Sequence, residues 1–134
     1  MSTILLVDDD PKFLDQAEQM LTSAGYHVLR ATDGNAAIAR LEQQRDQIDL
    51  TIVDLALPGL NGFELIGALA RRPNKVKVIA TTSIYKDQHL EVAASLGAHA
   101  AIRKPPEGAP LPETEWLSTV RRLVGGGSAT SSHK

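Results

Sequence analysis

The stretch Leu50-Thr51-Ile52-Val53-Asp54-Leu55-Ala56-Leu57-Pro58-Gly59-Leu60-Asn61-Gly62 decides how this chain is read. Leu50, Ile52 and Val53 form an apolar run that suits a strand buried on both faces, and the run ends on one carboxylate, Asp54. Pro58, Gly59, Asn61 and Gly62 are turn formers that stop it. A charge at the tip of a buried strand is costly unless other groups pair with it. In open α/β sheets that carboxyl-end edge is where ligands bind. The rest of the chain can therefore be asked which groups meet Asp54 there.

On the N-terminal side, Thr3–Val7 is a short apolar run read as the first strand, followed at once by Asp8, Asp9 and Asp10. Asp10-Pro11 is a helix start, with Asp as cap and Pro at the first helical position. Phe13, Leu14, Ala17, Met20, Leu21 and Ala24 recur at helical spacing until Gly25. Tyr26–Ala31 reads as the second strand, and Asp33 caps a second helix with Ala37, Ile38 and Leu41 inward. Asp49–Asp54 is the third strand.

On the C-terminal side, Asn61–Arg71 is predicted helical, with Phe63, Ile66 and Ala70 inward and Pro73 as its stop. Val76–Thr81 is the fourth strand. Asp87–Leu96 is the fourth helix, with Leu90, Ala93 and Ala94 inward and Gly97 after it. Ala100–Arg103 is the fifth strand. A Pro-rich link leads to a fifth helix over Glu113–Val124, whose stripe is Trp116, Leu117, Val120, Leu123 and Val124. Gly125–Lys134 is Gly/Ser/Thr-rich without periodicity and is expected to be a flexible tail, leaving 1–124 as the domain.

Five strands alternating with five helices predict a single doubly wound α/β domain, (βα)5, with a parallel sheet covered on both faces. The flavodoxin-like order 2-1-3-4-5 is the common solution. In that order strands one, three, four and five are contiguous. Their carboxyl tips carry Asp8 and Asp9, Asp54, Thr82 and Ser83, and Lys104. Three crowded carboxylates need a counter-charge. Lys104 supplies one positive charge, and a hard divalent ion held by oxygen ligands, Mg2+ above all, would supply the rest. Such a carboxylate can act as a nucleophile toward phosphorus.

Bulk composition excludes several classes. The 134 residues carry a net charge of −2, with no Lys/Arg block that would mark a nucleic-acid surface. No apolar stretch reaches the roughly 20 residues of a membrane span. The N-terminus lacks the order of a signal peptide, and there is no cysteine for a disulfide or thiolate site. Together these lead us to expect a cytoplasmic protein that neither enters the membrane nor binds nucleic acid directly.

The pieces Ile4-Leu5-Leu6-Val7-Asp8-Asp9-Asp10, Val53-Asp54 through Asn61-Gly62, Thr82-Ser83, Gly97-Ala98 and Lys104-Pro105 stand in an order that resembles a response-regulator receiver domain over about residues 3–124. The resemblance implies that Asp54 is the phosphoacceptor. It implies that Asp9 binds Mg2+ directly, that Asp8 assists through water, and that the Ala56 backbone carbonyl completes the protein's share of the shell. Thr82, the Ser83 amide and Lys104 would hold the phosphoryl oxygens. Thr81 is a rival for Thr82 if the strand register slips, but Thr82 stands at the family's usual offset from Lys104. The Lys104–Pro105 bond would be cis.

By the same resemblance, a sensor histidine kinase or a phosphotransfer protein would donate the phosphoryl group in a two-component phosphorelay. The face built by strand four, helix four, strand five and helix five would then bind a downstream protein. The chain would be no enzyme toward other substrates, catalysing only its own phosphorylation and dephosphorylation. It reads as a stand-alone switch or as a receiver excised from a longer protein.

Three positions, Ala101, Ser83 and Pro106, depart from the family's pattern, Ser83 standing where Ala is common. Ala101 occupies the slot where an aromatic usually turns inward, so that half of the usual switch has no side chain to move. Pro106 replaces a frequent Phe. Ala56 and Ile84, which would flank the phosphoryl group, cannot hydrogen-bond an attacking water, so slow self-hydrolysis is expected.

A phosphorylation-independent pseudo-receiver adaptor is the alternative, which the intact Asp8, Asp9, Asp54, Thr82 and Lys104 oppose. An aspartyl-nucleophile phosphatase would need a second Asp where this chain has Ala56. A flavin protein would need a phosphate loop after strand one.

Overall fold

The computed structural model describes residues 2–44, 47–57, 61–71, 76–82, 87–106 and 108–125, and for 87–90 the backbone alone. Among these, five strands alternate with five helices: β1 Thr3–Val7, α1 Pro11–Ser23, β2 His27–Ala31, α2 Gly34–Gln43, β3 Leu50–Asp54, α3 Gly62–Ala70, β4 Lys77–Thr82, α4 Asp87–Leu96, β5 Ala100–Arg103 and α5 Glu113–Val124. The strands pair in parallel in the order β2-β1-β3-β4-β5. This is the expected doubly wound sheet, with its switch point between β1 and β3.

Strand alternation sorts the core into two layers. Leu5, Val7, Val53, Val78 and Ala80 pack against Ala37 and Leu41 of α2, Leu65, Ile66 and Leu69 of α3, and Ala93 of α4. Ile4, Leu6, Leu50, Ile52, Ile79 and Ile102 pack against Phe13, Leu14, Ala17, Met20 and Leu21 of α1, and Trp116 and Val120 of α5. Both faces of the sheet are buried, which is why β1 and β3 read as near-continuous apolar runs instead of alternating ones.

Helix starts follow the sequence. Asp10 caps α1 by accepting from the Lys12 N–H at 3.0 Å, with Pro11 at the first helical position. Asp33 caps α2 by accepting from the Ala36 N–H at 2.7 Å. Asn61 and Glu64 form a reciprocal capping box at α3. After α4, Gly97 has φ +127°, and a Cβ there would sit 2.7 Å from the Ala70 Cβ. The end of α4 thus approaches α3 at a backbone angle that a side chain rarely adopts.

The structure corrects several expectations; β3 begins at Leu50 and α3 spans Gly62–Ala70. β4 runs to Thr82, not Thr81. β2 begins at His27, because the Tyr26 N–H bonds back to the Leu21 carbonyl in the turn after α1. In α3 the buried side chains include Leu65, Ile66 and Leu69, whereas Phe63 is half-buried and Ala70 exposed. Apolar residues crowd most of that helix, so periodicity could not choose its face. Ala94 of α4 is likewise exposed while Ala93 is buried.

No peptide bond among the described residues is cis, so Lys104–Pro105 is trans. That is the ordinary preference of an X–Pro bond, by about 0.5–1 kcal/mol. Pro58, Gly59, Pro73, Ser83, Ile84 and the tail 126–134 lie outside the described residues, as does the Leu90 side chain. No helix among the described residues is long and apolar enough to cross a membrane.

Candidate functional site: an acidic cluster at the sheet edge

The site is built where β1, β3 and β5 end. Along each strand, alternate residues face the α1/α5 layer: Ile4 and Leu6, Leu50 and Ile52, Ala100 and Ile102. Continuing that alternation past the last apolar residue gives Asp8, Asp54 and Lys104 on the same side. The three charged groups are therefore the outward continuation of one core layer, at the edge where it meets water.

The geometry is close. One carboxylate oxygen from each of Asp8, Asp9 and Asp54 can be chosen so that all three lie within 4.8 Å of one another. Asp8 and Asp54 are buried, while Asp9 is exposed. The Lys104 ammonium donates to Asp8 Oδ2 at 2.8 Å and lies 3.6 Å from Asp54 Oδ2. Asp8 Oδ1 accepts from the Asp10 N–H at 2.9 Å, and Asp54 Oδ1 from the Ala56 N–H at 3.0 Å. The Lys104 ammonium also stands over the Phe13 ring, 4.6 Å from its centroid.

Electrostatics follow from this packing. Burial pushes the Asp8 carboxyl up to about 6; the bond from Lys104 pulls the other way, and the Asp54 charge adds to the rise. Burial also raises Asp54 above the ordinary carboxylate range, against the pull of the Ala56 N–H and Lys104. For Lys104, burial disfavours the ammonium, but Asp8 and Asp54 outweigh it, so the group stays above its ordinary value and charged. With all three carboxylates ionised, one ammonium leaves two negative charges uncompensated.

A divalent cation would close that balance, and the donor set suits a hard one, since every ligand is an oxygen. Asp8, Asp9 and Asp54 would hold it, with Ala56 close by on the chain.

The other sequence-predicted residues fall as follows. Thr81, buried, is the ladder partner of Asp54 and shares its face; its hydroxyl has no hydrogen-bond partner among the described residues. Thr82, also buried, is the next residue and the last of β4, and its carbonyl accepts the Lys104 N–H at 3.0 Å. Ser83 is outside the described residues. Two residues near the site were not singled out by the sequence for a role there. Phe13 read only as a core residue of α1. Gly62 read only as a turn former, yet a Cβ there would lie 2.4 Å from the Asp54 carbonyl oxygen. No sequence signal distinguishes either from its ordinary use.

Residues 4–114 match the response regulator receiver domain family. The chain belongs to that family, the receivers of two-component signalling. It is 33% identical over 103 residues to the response regulator GtcR of Aneurinibacillus migulanus, covering 77% of this chain and 41% of that one. It is 32% identical over 108 residues to the transcriptional regulatory protein AfsQ1 of Streptomyces coelicolor, covering 81% and 47%. The chain thus spans less than half the length of these curated relatives. Among solved structures, the chemotaxis protein CheY4 of Vibrio cholerae superposes with a TM-score of 0.80 at 25% identity, covering 92% of this chain and 99% of that one.

Proposed function

We propose that this domain is a phosphorylation switch that accepts a phosphoryl group on Asp54 from a sensor histidine kinase or a phosphotransfer protein. The reading is carried by the convergence of Asp8, Asp9 and Asp54 within 4.8 Å, with the Lys104 ammonium 3.6 Å from Asp54. In the transfer an Asp54 oxygen bonds to phosphorus as the donor's P–N bond breaks, and the imidazole leaves with the electron pair. Mg2+ held by Asp8, Asp9, Asp54 and the Ala56 carbonyl would supply the charge neutralisation that such a transfer needs. Lys104, Thr82 and the Ser83 amide bind the incoming phosphoryl oxygens. The domain acts on no other substrate and works in the cytoplasm.

The readout face is α4, β5 and α5. Val92 and Leu96, both on α4, are exposed large apolar side chains, and Ala101 on β5 is exposed beside them in sequence order. Phosphorylation shifts the population of that face toward a form that binds a downstream protein.

Intact mass after incubation with acetyl phosphate and Mg2+ tests the reading. The wild type should gain one phosphoryl group, and neither Asp54→Ala nor the wild type with a chelator should gain it. A gain that survives Asp54→Ala would place the acceptor elsewhere. No gain in the wild type would favour the phosphorylation-independent adaptor.

A second expectation concerns lifetime. Ala56 offers an attacking water no side-chain hydrogen bond, so Ala56→Asn should shorten the life of the acyl phosphate by about tenfold, less than the roughly hundredfold low end for a general acid or base because an amide only orients the water. Decay of the phosphorylated mass with time measures it. An unchanged or longer life would remove Ala56 as the cause.

A further inference from the structure

Lys104 is held on three sides. Asp8 accepts its bond at 2.8 Å, Asp54 lies at 3.6 Å, and the third side is closed by the Phe13 ring, 4.6 Å from ammonium to centroid. Phe13 comes from α1 and is itself buried. Its ring lies against the indole of Trp116, with centroids 5.7 Å apart and planes tilted by 55°. Trp116 has no exposed surface and is the largest wholly buried side chain of the domain's described residues. It sits in the first turn of α5. One continuous contact path therefore runs from the acidic cluster to α5 through Lys104, Phe13 and Trp116. It does not pass through position 101, where alanine has nothing to move.

The geometry points to Phe13 as the positioning residue for Lys104, and to the Phe13–Trp116 contact as the route by which loading of the site is felt at α5. This rests on the reading of the cluster as a metal and phosphoryl site. The physical reason is a competition for Asp8. Its Oδ2 accepts from Lys104, and a cation held by Asp8, Asp9 and Asp54 would take over that counter-charge role. Lys104 would then be free to turn toward the phosphoryl oxygens, and its ammonium would leave the ring face. A cation on a ring face orients that ring, because it is attracted to the negative face of the quadrupole. When it leaves, the ring is constrained only by packing, and its tilted partner, Trp116, shifts with it. A contact path of this kind becomes a mechanism only when both ends are shown to respond together.

Trp116 is the chain's one tryptophan, so tryptophan emission reports on the α5 end of this path. The experiment compares wild type, Phe13→Leu and Phe13→Tyr, following Trp116 emission during Mg2+ titration and then on adding acetyl phosphate. Asp54 labelling rate by intact mass and Mg2+-dependent thermal stabilisation are measured on the same samples. The wild type should show a saturable emission change. Phe13→Leu, which keeps apolar bulk but has no ring face, should still be stabilised by Mg2+ and still be labelled at Asp54. It should lose the emission response, and its labelling rate should fall about three- to tenfold, the range a lost ring–ammonium contact implies. Phe13→Tyr, which restores the ring, should recover both.

An emission response in Phe13→Leu equal to that of the wild type would overturn the route. So would a wild type that is labelled with no emission change. A labelling rate unchanged in Phe13→Leu would overturn the positioning role. A wild type with neither Mg2+ stabilisation nor label would instead defeat the reading of the site itself, which keeps the two failures apart. Far-UV circular dichroism establishes that each variant is folded, and Phe13→Met replaces Phe13→Leu in the same comparison if the latter is not.

Discussion

Asp8→Asn is expected to make the ion-free protein more stable near neutral pH, by roughly 1–3 kcal/mol, while abolishing most of its stabilisation by Mg2+. Asp8 is buried and its carboxyl stands at about 6 against an ordinary 3.8. The folded state therefore holds the Asp8 proton more tightly than the unfolded chain does. That contribution to stability is fully present below the unfolded value of 3.8 and is lost as pH rises through about 6. The rise corresponds to about 3 kcal/mol at most, and the bond that Asn cannot replace for Lys104 reduces the gain. Asp54, also raised by burial, acts in the same direction. Lys104 is raised from an already high value, so it stays charged throughout and contributes no slope in this window.

Ion-free wild type should accordingly melt at higher temperature near pH 5 than near pH 7.5, as far as these two carboxylates govern the difference. Mg2+ should reverse the order, because it binds the ionised form and adds about 2.7 kcal/mol at a hundredfold excess over Kd. Thermal melts of wild type and Asp8→Asn at both pH values, with and without Mg2+, measure all of this. A wild type without Mg2+ that is more stable at the higher pH, together with a destabilised Asp8→Asn, would refute the account of a repulsive, metal-seeking cluster.

Gly62→Ala is expected to cost about 3 kcal/mol and to slow labelling of Asp54, whereas Gly67→Ala, five residues along the same helix, should stabilise by about 0.5–1 kcal/mol. The two glycines differ in what a methyl group would meet. At Gly62 it would lie 2.4 Å from the Asp54 carbonyl oxygen and 2.5 Å from the Leu55 Cα, both backbone atoms that cannot rotate away. At Gly67 its nearest neighbour is the end of the Arg71 side chain at 3.4 Å, which is free to give way. Gly62 thus lets the first turn of α3 rest directly on the backbone that presents Asp54. An added methyl must push that backbone, and with it the Asp54 carboxylate, out of register with Asp8 and Lys104. Paired thermal melts and labelling rates test the contrast; equal behaviour of the two variants would sink it.

Ala101 leaves the family's usual aromatic slot empty, and the structure shows where aromatic mass is found instead. Phe13 and Trp116 lie in the α1/α5 layer, beneath the site rather than on the exposed side of β5, where Ala101 itself is exposed. The lone tryptophan read as core packing, and it is core. What its spacing could not reveal is that the residue touching it also touches the site's only ammonium among those described.

The sequence by itself determined the architecture and the inventory of the site. Apolar runs of strand length between capped amphipathic helices admit few arrangements, and right-handed crossovers order them, so Asp8, Asp9, Asp54 and Lys104 had to gather at one edge. Only the tertiary structure decided which face α3 turns inward, which threonine of Thr81-Thr82 pairs with Asp54, that Lys104–Pro105 is trans, and that Phe13 and Gly62 border the site. The physical reason is range. Periodicity and caps are encoded within one element, but helix rotation, ladder register and contacts between residues as distant in sequence as Phe13 and Lys104 are set by packing between elements, where many sequences share one pattern.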